Sequence, residues 1–118
     1  MSSPASTSAQ EGDLRAEARA LRPLIEAQAT PTDEALTMTD PLLEAFEKSG
    51  LFHMMVPSAL GGAEADCSTI MDVVEELCHQ DGSVGWSQMA NASATSYCAF
   101  LDPEVAREMV GDQAGAVF

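Results

Sequence analysis

Two histidines, His53 and His79, are the side chains best suited to proton transfer near neutral pH. An unperturbed imidazole titrates at about pH 6.5, so either residue could act as a general base. His79, however, falls at the end of a predicted helix, where the helix dipole stabilises a cation. We therefore interpret His79 as an exposed surface residue rather than as a catalytic base.

The three cysteines form neither a metal pattern nor a disulfide pattern. Cys67, Cys78 and Cys98 are widely spaced, and no Cys-x-x-Cys pair occurs. Zinc sites and disulfide frameworks need paired spacing, so no metal site is predicted. A nucleophilic cysteine needs a nearby base and an electropositive setting, which the sequence does not supply. Cys78 and Cys98 are predicted to be small buried hydrophobic residues.

The adjacent carboxylates of Glu75 and Glu76 are the remaining candidates for acid–base chemistry. Neighbouring positions on a helix point about 100° apart, so two such carboxylates cannot share one proton. We interpret both as part of a solvated helix edge. No catalytic residue is predicted in the chain.

The composition is that of one acidic domain. The chain has 118 residues, of which 46% are hydrophobic and 20% charged, and its formal net charge is −14. These values are typical of a globular domain. Only 5 residues are Lys or Arg, too few to favour nucleic acid or an anionic membrane as a partner. The sequence shows no signal peptide or membrane span, so a reduced, cytoplasmic protein is predicted.

The first part of the chain predicts a tail and a kinked helix. Residues 1–12 are small and polar and are predicted to form a disordered tail. Helix A is predicted from Asp13 to about Ala29, because apolar residues recur at helical spacing. Pro23 lies inside it, so a kink or restart is expected there. Residues 30–39 either continue this helix or form a linker.

Two further helices follow. Asp40 and Pro41 predict the start of helix B, and Gly50 predicts its end. Gly61 and Gly62 permit a tight turn. Helix C then has a regular apolar stripe, which consists of Ile70, Val73, Val74, Leu77 and Cys78.

Helix D, from Val84 to about Leu101, contains no charged residue. A helix without charge is not expected on a free surface, so we expect it to be covered on most sides. The sequence of residues 81–83 supplies its caps. Helix E is predicted to begin after Asp102 and to end at Gly111. Together the patterns predict an all-α fold, an antiparallel bundle of about five helices.

Four segments carry a family resemblance through their order and spacing. They are SGLFHMMVP at residues 49–57, LGGAEAD at 60–66, VVEEL at 73–77 and DGSVGW at 81–86. Together they resemble the N-terminal all-α domain of the acyl-CoA dehydrogenase superfamily. Its actinobacterial type, which includes two-component flavin-dependent monooxygenases of aromatic or polycyclic substrates, is the most similar. The resemblance covers residues 13–118.

The resemblance implies that this domain belongs to a larger enzyme. In the family, a middle β-domain and a C-terminal helical domain follow, hold the flavin (FAD or FMN) and complete a homo-tetramer. Both domains are absent from this chain, so the chain alone is expected to bind no flavin and to catalyse nothing. The family varies in the segment that contains His53, which favours a structural role for that residue.

The resemblance also implies that helix D walls one side of the substrate pocket. One stripe of that helix is interpreted as core packing, and its residues are Trp86, Met89, Ser93, Tyr97 and Phe100. A second stripe is interpreted as pocket lining, and its residues are Gln88, Asn91, Thr95 and Cys98. The candidate substrate-binding residues are Trp86, Gln88, Asn91 and Thr95.

Three functions follow as hypotheses. The leading one is α,β-dehydrogenation of an acyl-CoA thioester by the full-length flavoenzyme. The first alternative is hydroxylation of an aromatic small molecule by a flavin-dependent monooxygenase of the same fold. Related monooxygenases often place a histidine on helix D, and this helix has none, which weakens that alternative. The second alternative is a stand-alone, non-catalytic helical interaction domain.

Overall fold

The computed structural model describes residues 14–110, and every regular element within that range is helical. Its α-helices are α1 (residues 14–20), α2 (Arg22–Ala27), α3 (Ala29–Ala35), α4 (Asp40–Ser49), α5 (Cys67–Gln80), α6 (Gly82–Ser96) and α7 (Pro103–Val110). Short 3-10 turns lie at Leu51–His53, Ser58–Leu60 and Tyr97–Phe100. The predicted all-α fold is confirmed. The predicted helices B, C, D and E correspond to α4, α5, α6 and α7.

Predicted helix A is divided into short pieces. The chain turns at Leu21, and α2 restarts with Pro23 in its first turn. Pro fits that position because the first N–H groups of a helix have no intrahelical partner. A second turn at Gln28 separates α2 from α3, which continues to Ala35. Residues 30–39 therefore continue the helix over their first half rather than forming a linker.

Helix α4 begins one residue away from the predicted cap. Thr39 has the extended backbone of an N-cap, whereas Asp40 is already the first helical residue. A carboxylate in the first turn still interacts favourably with the positive end of the helix dipole. Gly50 ends the helix with φ 78°, as predicted, because this left-handed conformation suits glycine.

The connection between α4 and α5 is held by its own backbone. The amides of Ala63 and Ala65 donate hydrogen bonds to the carbonyl oxygens of His53 and Met54, at 3.2 and 2.9 Å. Gly62 allows this close return, since a Cβ atom there would collide with the backbone and side chain of Val56. The predicted glycine turn is confirmed.

The core lies where α5 and α6 pack on α4 and its 3-10 turn. Val73 and Leu77 of α5 are fully buried, and the rings of Phe46 and Phe52 stack with centroids 5.2 Å apart. Helices α5 and α6 approach closely at Gly85, where a Cβ atom would lie 2.5 Å from Cys78 Sγ. Glycine is therefore required by packing at this crossing.

Two arginines and a glutamine attach the first helices to α5. Arg15 forms an ion pair with Asp72 at 2.8 Å, and Arg22 lies 3.5 Å from Glu76. Gln80 Nε2 donates a 2.9 Å hydrogen bond to the carbonyl oxygen of Ala18. These contacts place α1 and α2 along one side of α5.

Two predictions about the second half of the chain differ from the structure. Predicted helix D is an α-helix only to Ser96 and continues as the 3-10 turn to Phe100. Cys98 is buried as predicted, but Cys78 is exposed. The prediction for Cys78 was wrong because the inward line of α5 runs through Val73 and Leu77, and the next position points about 100° away. The predicted tail (residues 1–12) and Gly111 lie outside the described residues.

Helix α6 begins at a side-chain cap. Asp81 Oδ1 accepts hydrogen bonds from the backbone amides of Ser83 and Val84, at 2.9 and 3.1 Å, and from Ser83 Oγ at 2.7 Å. These bonds, the Ser83 side chain foremost, lower the pKa of the Asp81 carboxyl. No helix within residues 14–110 is long and apolar enough to cross a membrane.

Candidate functional site: the faces of helix α6

The structure reverses the two predicted stripes of α6. The side chains expected in the core are largely outside: Trp86 is 68% exposed, Tyr97 69% and Phe100 85%. The prediction that these three aromatic residues pack in the core of this domain is therefore wrong. Met89 and Ser93 on the same stripe are partly exposed. The outward face of α6 is thus apolar and aromatic.

The polar stripe points into the core instead. Gln88 and Thr95 have no exposed area. Gln88 Nε2 donates a 2.8 Å hydrogen bond to the carbonyl oxygen of Leu51, and Thr95 Oγ1 lies 2.9 Å from that of Phe52. Both partners belong to the 3-10 turn after α4, whose carbonyl groups are not all used by a regular helix. The buried polar residues of α6 thus satisfy this turn.

Asn91 is the candidate residue placed between these two faces. It is partly buried, and its Nδ2 donates a 2.9 Å hydrogen bond to the carbonyl oxygen of Ser87. Its Oδ1 is buried and has no hydrogen-bond partner among the described residues. This amide oxygen is an unused acceptor that lies below the accessible surface.

Substrate contact by the four candidate residues stays a prediction. Trp86 presents an exposed indole and Asn91 an unpaired acceptor. Gln88 and Thr95 have no exposed surface in this arrangement, so they support the wall from inside. One sequence signal could have indicated this burial. The carbonyl groups of a turn that follows a Gly-capped helix need hydrogen-bond donors, and Gln88 and Thr95 offer two donors on the same face of α6.

Three open clefts flank α6. The first, of about 440 Å³, lies between α5 and α6 and is lined by Met55, Ile70, Met71, Val74, Glu75, Met89 and Ser93. The second, of about 390 Å³, lies beside α7 and is lined by Ala94, Thr95, Tyr97, Cys98, Leu101 and Met109. The third, of about 470 Å³, is lined by Thr32, Asp33, Leu36, Thr37, Met38, Ser83 and Ser87. The first two linings are mostly apolar, with Glu75 and Ser93 in the first and Thr95 in the second as the polar residues.

The other groups with chemical potential do not assemble into a catalytic centre. His79 is exposed and lies 3.7 Å from Glu75 across one helical turn. Glu76 interacts instead with Gln80 and Arg22, and the Gln80 hydrogen bond lowers its pKa most. The two carboxylates therefore have separate partners, as their spacing predicts. Burial raises the pKa of the Cys98 thiol, which disfavours the nucleophilic thiolate.

Within residues 14–110, His, Cys, Asp and Glu nowhere form a group of three or more that could hold a metal ion. The three clefts also contain no Lys or Arg in their linings. A flavin phosphate is normally held by such cations or by clustered backbone amides. The clefts of this part of the chain do not fit a flavin phosphate, and no reaction step is assigned to them.

The helical domain matches a known protein family. The model of the acyl-CoA dehydrogenase N-terminal domain matches residues 8–110. Indole-3-acetate monooxygenase of Pseudomonas putida is 31% identical over 77 residues, which are 65% of this chain and 20% of that protein. The protein of the same name from Acinetobacter baumannii is 28% identical over 86 residues, 73% of this chain and 22% of that protein.

A third relative is the oxygenase subunit HsaA of a flavin-dependent monooxygenase from Rhodococcus jostii. It is 28% identical over 67 residues, which are 57% of this chain and 18% of that protein. The chain therefore spans about a fifth of the length of these curated relatives. No solved structure matches the chain significantly.

Proposed function

The chain belongs to the acyl-CoA dehydrogenase N-terminal domain family, and on this premise we propose that it walls the substrate pocket of a flavin-dependent oxidoreductase. The observation that carries the proposal is the outward face of α6. An indole that is 68% exposed stands on a helix without a charged residue. Apolar surface of this kind marks a binding surface in an otherwise acidic chain.

The candidate residues divide between contact and support in this proposal. The Trp86 indole offers a flat apolar surface to the substrate. Asn91 Oδ1 is buried without a partner among the described residues, and it accepts a hydrogen bond from a polar substrate group once the side chains that cover it move aside. Gln88 and Thr95 hold α6 on the 3-10 turn and so fix the position of the wall. These residues bind substrate and exclude water from the pocket. Proton and electron transfer belong to parts of the full-length protein outside residues 14–110.

We propose oxygenation of an aromatic small molecule as the reaction of the full-length protein. This departs from our leading hypothesis from the sequence. All three relatives are named monooxygenases, and two are named for an indole-containing acid. Dehydrogenation of an acyl-CoA thioester remains the second candidate, supported by the name of the family model. Bound FAD or FMN, a middle β-domain, a C-terminal helical domain, a homo-tetramer and a cytoplasmic location belong to the same proposal.

The test begins with the reading frame around the codons for residues 1–118. Its complete product is assayed in two ways: oxygen uptake driven by NADH and a flavin reductase with indole-3-acetate, and reduction of an artificial electron acceptor by acyl-CoA. Hydroxylated product supports oxygenation, and acyl-CoA oxidation supports the second candidate. A product that binds no flavin and catalyses neither reaction contradicts the proposal and favours a stand-alone interaction domain.

Variants of the complete product test the wall itself. Trp86→Ala should lower kcat/KM by at least about tenfold, mainly through KM, because it removes substrate contact without touching the reacting groups. Val105→Ala is the control, since Val105 is 45% exposed on α7 and lines none of the three clefts described above. Equal kinetics for the Trp86→Ala variant and the unmodified protein would show that Trp86 of α6 does not line the substrate pocket.

A further inference from the structure

Helix α5 carries a second apolar stripe that is largely exposed; it flanks the side that faces the core, and Val74 on it also packs against the core. Cys67, Met71, Val74 and Cys78 stand at offsets 0, 4, 7 and 11, so they form one line along the helix. Both cysteines are exposed, Met71 is 70% exposed and Val74 is partly exposed. A line of about 16 Å results, long enough for a neighbouring helix to pack along it.

Met71 and Val74, the middle of the stripe, line the cleft of about 440 Å³ between α5 and α6, which we call the α5–α6 groove. Its opposite wall includes Met89 and Ser93 of α6, and Met55 also lines it. Three of its lining residues are methionines. Unbranched, polarisable methionine side chains adapt to varied apolar partners, as they do in grooves that receive amphipathic helices.

The negative charge of the chain favours a basic occupant of the groove. The chain carries 19 Asp and Glu against 5 Lys and Arg, and Arg15 and Arg22 already lie beside Asp72 and Glu76 on α5. Glu75 lines the groove, and its neighbour His79 is 3.7 Å away and carries charge only when protonated. A second copy of this acidic chain would add like charge at the contact, whereas Lys and Arg would complement it.

We propose that the α5–α6 groove is the docking site for an amphipathic helix of a partner protein whose polar face carries Lys and Arg. The apolar residues of that helix pack on the α5 stripe and the methionines. Its cations lie toward Glu75 and the surrounding acidic surface. The inference goes beyond the proposed function: the groove meets the outward face of α6 only at Met89 and Ser93, and Trp86 is not among its lining residues.

The test uses the intact chain and a fluorescently labelled synthetic helix of about 18 residues, with Leu on one face and Lys on the other. Fluorescence anisotropy should report a Kd in the range of about 1–50 μM that weakens as salt is added. A scrambled peptide of the same composition and a Leu/Glu helix should bind at least about tenfold more weakly. Equal binding of either control peptide would show general stickiness and overturn the proposal.

Matched variants locate the contact. Met71→Glu should weaken binding by at least about tenfold, whereas Val105→Glu should change it by less than about twofold. Both substitutions add one negative charge at an exposed apolar position, and Val105 is 45% exposed on α7. Equal effects of the two substitutions would overturn the proposal. Circular dichroism confirms that each variant is folded.

Thiol labelling gives a readout that needs no variant. Cys67 and Cys78 are exposed on the stripe, while Cys98 is buried. The bound Leu/Lys helix should slow alkylation of Cys67 and Cys78 by at least about fivefold, in proportion to occupancy. Unchanged labelling at saturating peptide would overturn the proposal. So would self-association of the chain, measured by sedimentation, that Met71→Glu abolishes.

Discussion

The Nε2 atom of Gln88 lies 2.8 Å from the carbonyl oxygen of Leu51 and donates a hydrogen bond to it. This bond joins the middle of α6 to the first residue of the 3-10 turn that follows α4. Neither residue has exposed area. Because a buried carbonyl without a donor is costly, the bond explains why a glutamine occupies a core position.

Replacing this glutamine should destabilise the fold. Gln88→Leu removes the donor and leaves the Leu51 carbonyl buried without it, so the free energy of unfolding should fall by about 1–3 kcal/mol. The lower part of that range is expected, since Gln88 Oε1 has no hydrogen-bond partner in the described part of the chain and the substitution also removes this buried, unsatisfied atom. Urea denaturation measures the change. An unchanged midpoint would show that Leu51 finds another donor.

Two buried threonines provide a matched comparison. Thr95 Oγ1 lies 2.9 Å from the Phe52 carbonyl oxygen, whereas Thr69 Oγ1 is buried and has no partner within residues 14–110. Thr95→Val should lower the free energy of unfolding by about 1 kcal/mol, because it removes a satisfied hydroxyl. Thr69→Val should be neutral or stabilising, because it removes an unsatisfied one. Thermal and urea unfolding measure the stability of both variants. A Thr69→Val variant that is less stable than the Thr95→Val variant would contradict this prediction.

Two glycines at the start of α6 should respond oppositely to alanine. A Cβ atom on Gly85 would lie 2.5 Å from Cys78 Sγ and 2.9 Å from the Cys78 backbone nitrogen. Gly85→Ala should therefore push α5 and α6 apart and cost about 1–3 kcal/mol.

Gly82→Ala is the control for this crossing. A Cβ atom on Gly82 meets nothing within 4 Å, so alanine should be neutral or stabilising by up to about 1 kcal/mol through its helix propensity. Urea denaturation compares the two variants. Equal changes in the free energy of unfolding would mean that the effect of Gly85→Ala does not come from the close contact between α5 and α6.

Much of the helical framework could be predicted from the sequence, but the orientation of α6 could not. Gly50 and Asp81 act locally, so their cap roles were correctly predicted at helices α4 and α6. The inward side of α6 depends on carbonyl groups of a turn some 37 positions earlier in the chain. Trp86 belongs to the stripe that was interpreted as core packing, yet the core side of α6 is taken by residues that meet that turn. Hydrophobicity alone does not contain this information.

The cap of α6 makes stability depend on pH. Hydrogen bonds from Ser83 and Val84 hold the pKa of Asp81 below its usual value of 3.8 in the folded state. The carboxylate therefore stabilises the fold in full above the unfolded-state pKa, and this contribution is lost as pH falls through the lowered folded-state pKa. Asp81→Ala should cost about 1 kcal/mol at pH 7.

The difference between Asp81→Ala and the unmodified chain should shrink as the solution is acidified below about pH 4. Urea denaturation from pH 7 down to pH 2.5 measures it. Glu17→Ala, which removes an exposed carboxylate of α1, should change stability by less than about 0.5 kcal/mol at pH 7. A loss for Asp81→Ala that persists undiminished at the acidic end would contradict the role of the charged cap.

The connection between α4 and α5 is fixed chiefly by amides and carbonyls of its own residues, as at Ala63 and Ala65. Every amino acid except proline brings the same amide, so homologous proteins are free to diverge in the outward side chains of this segment while its path is retained. Two glycines are exceptions: at Gly62 any side chain would strike Val56, and Gly61 has φ 87°, a left-handed conformation that suits glycine. Sequence drift in the loop and constancy of its shape are therefore compatible.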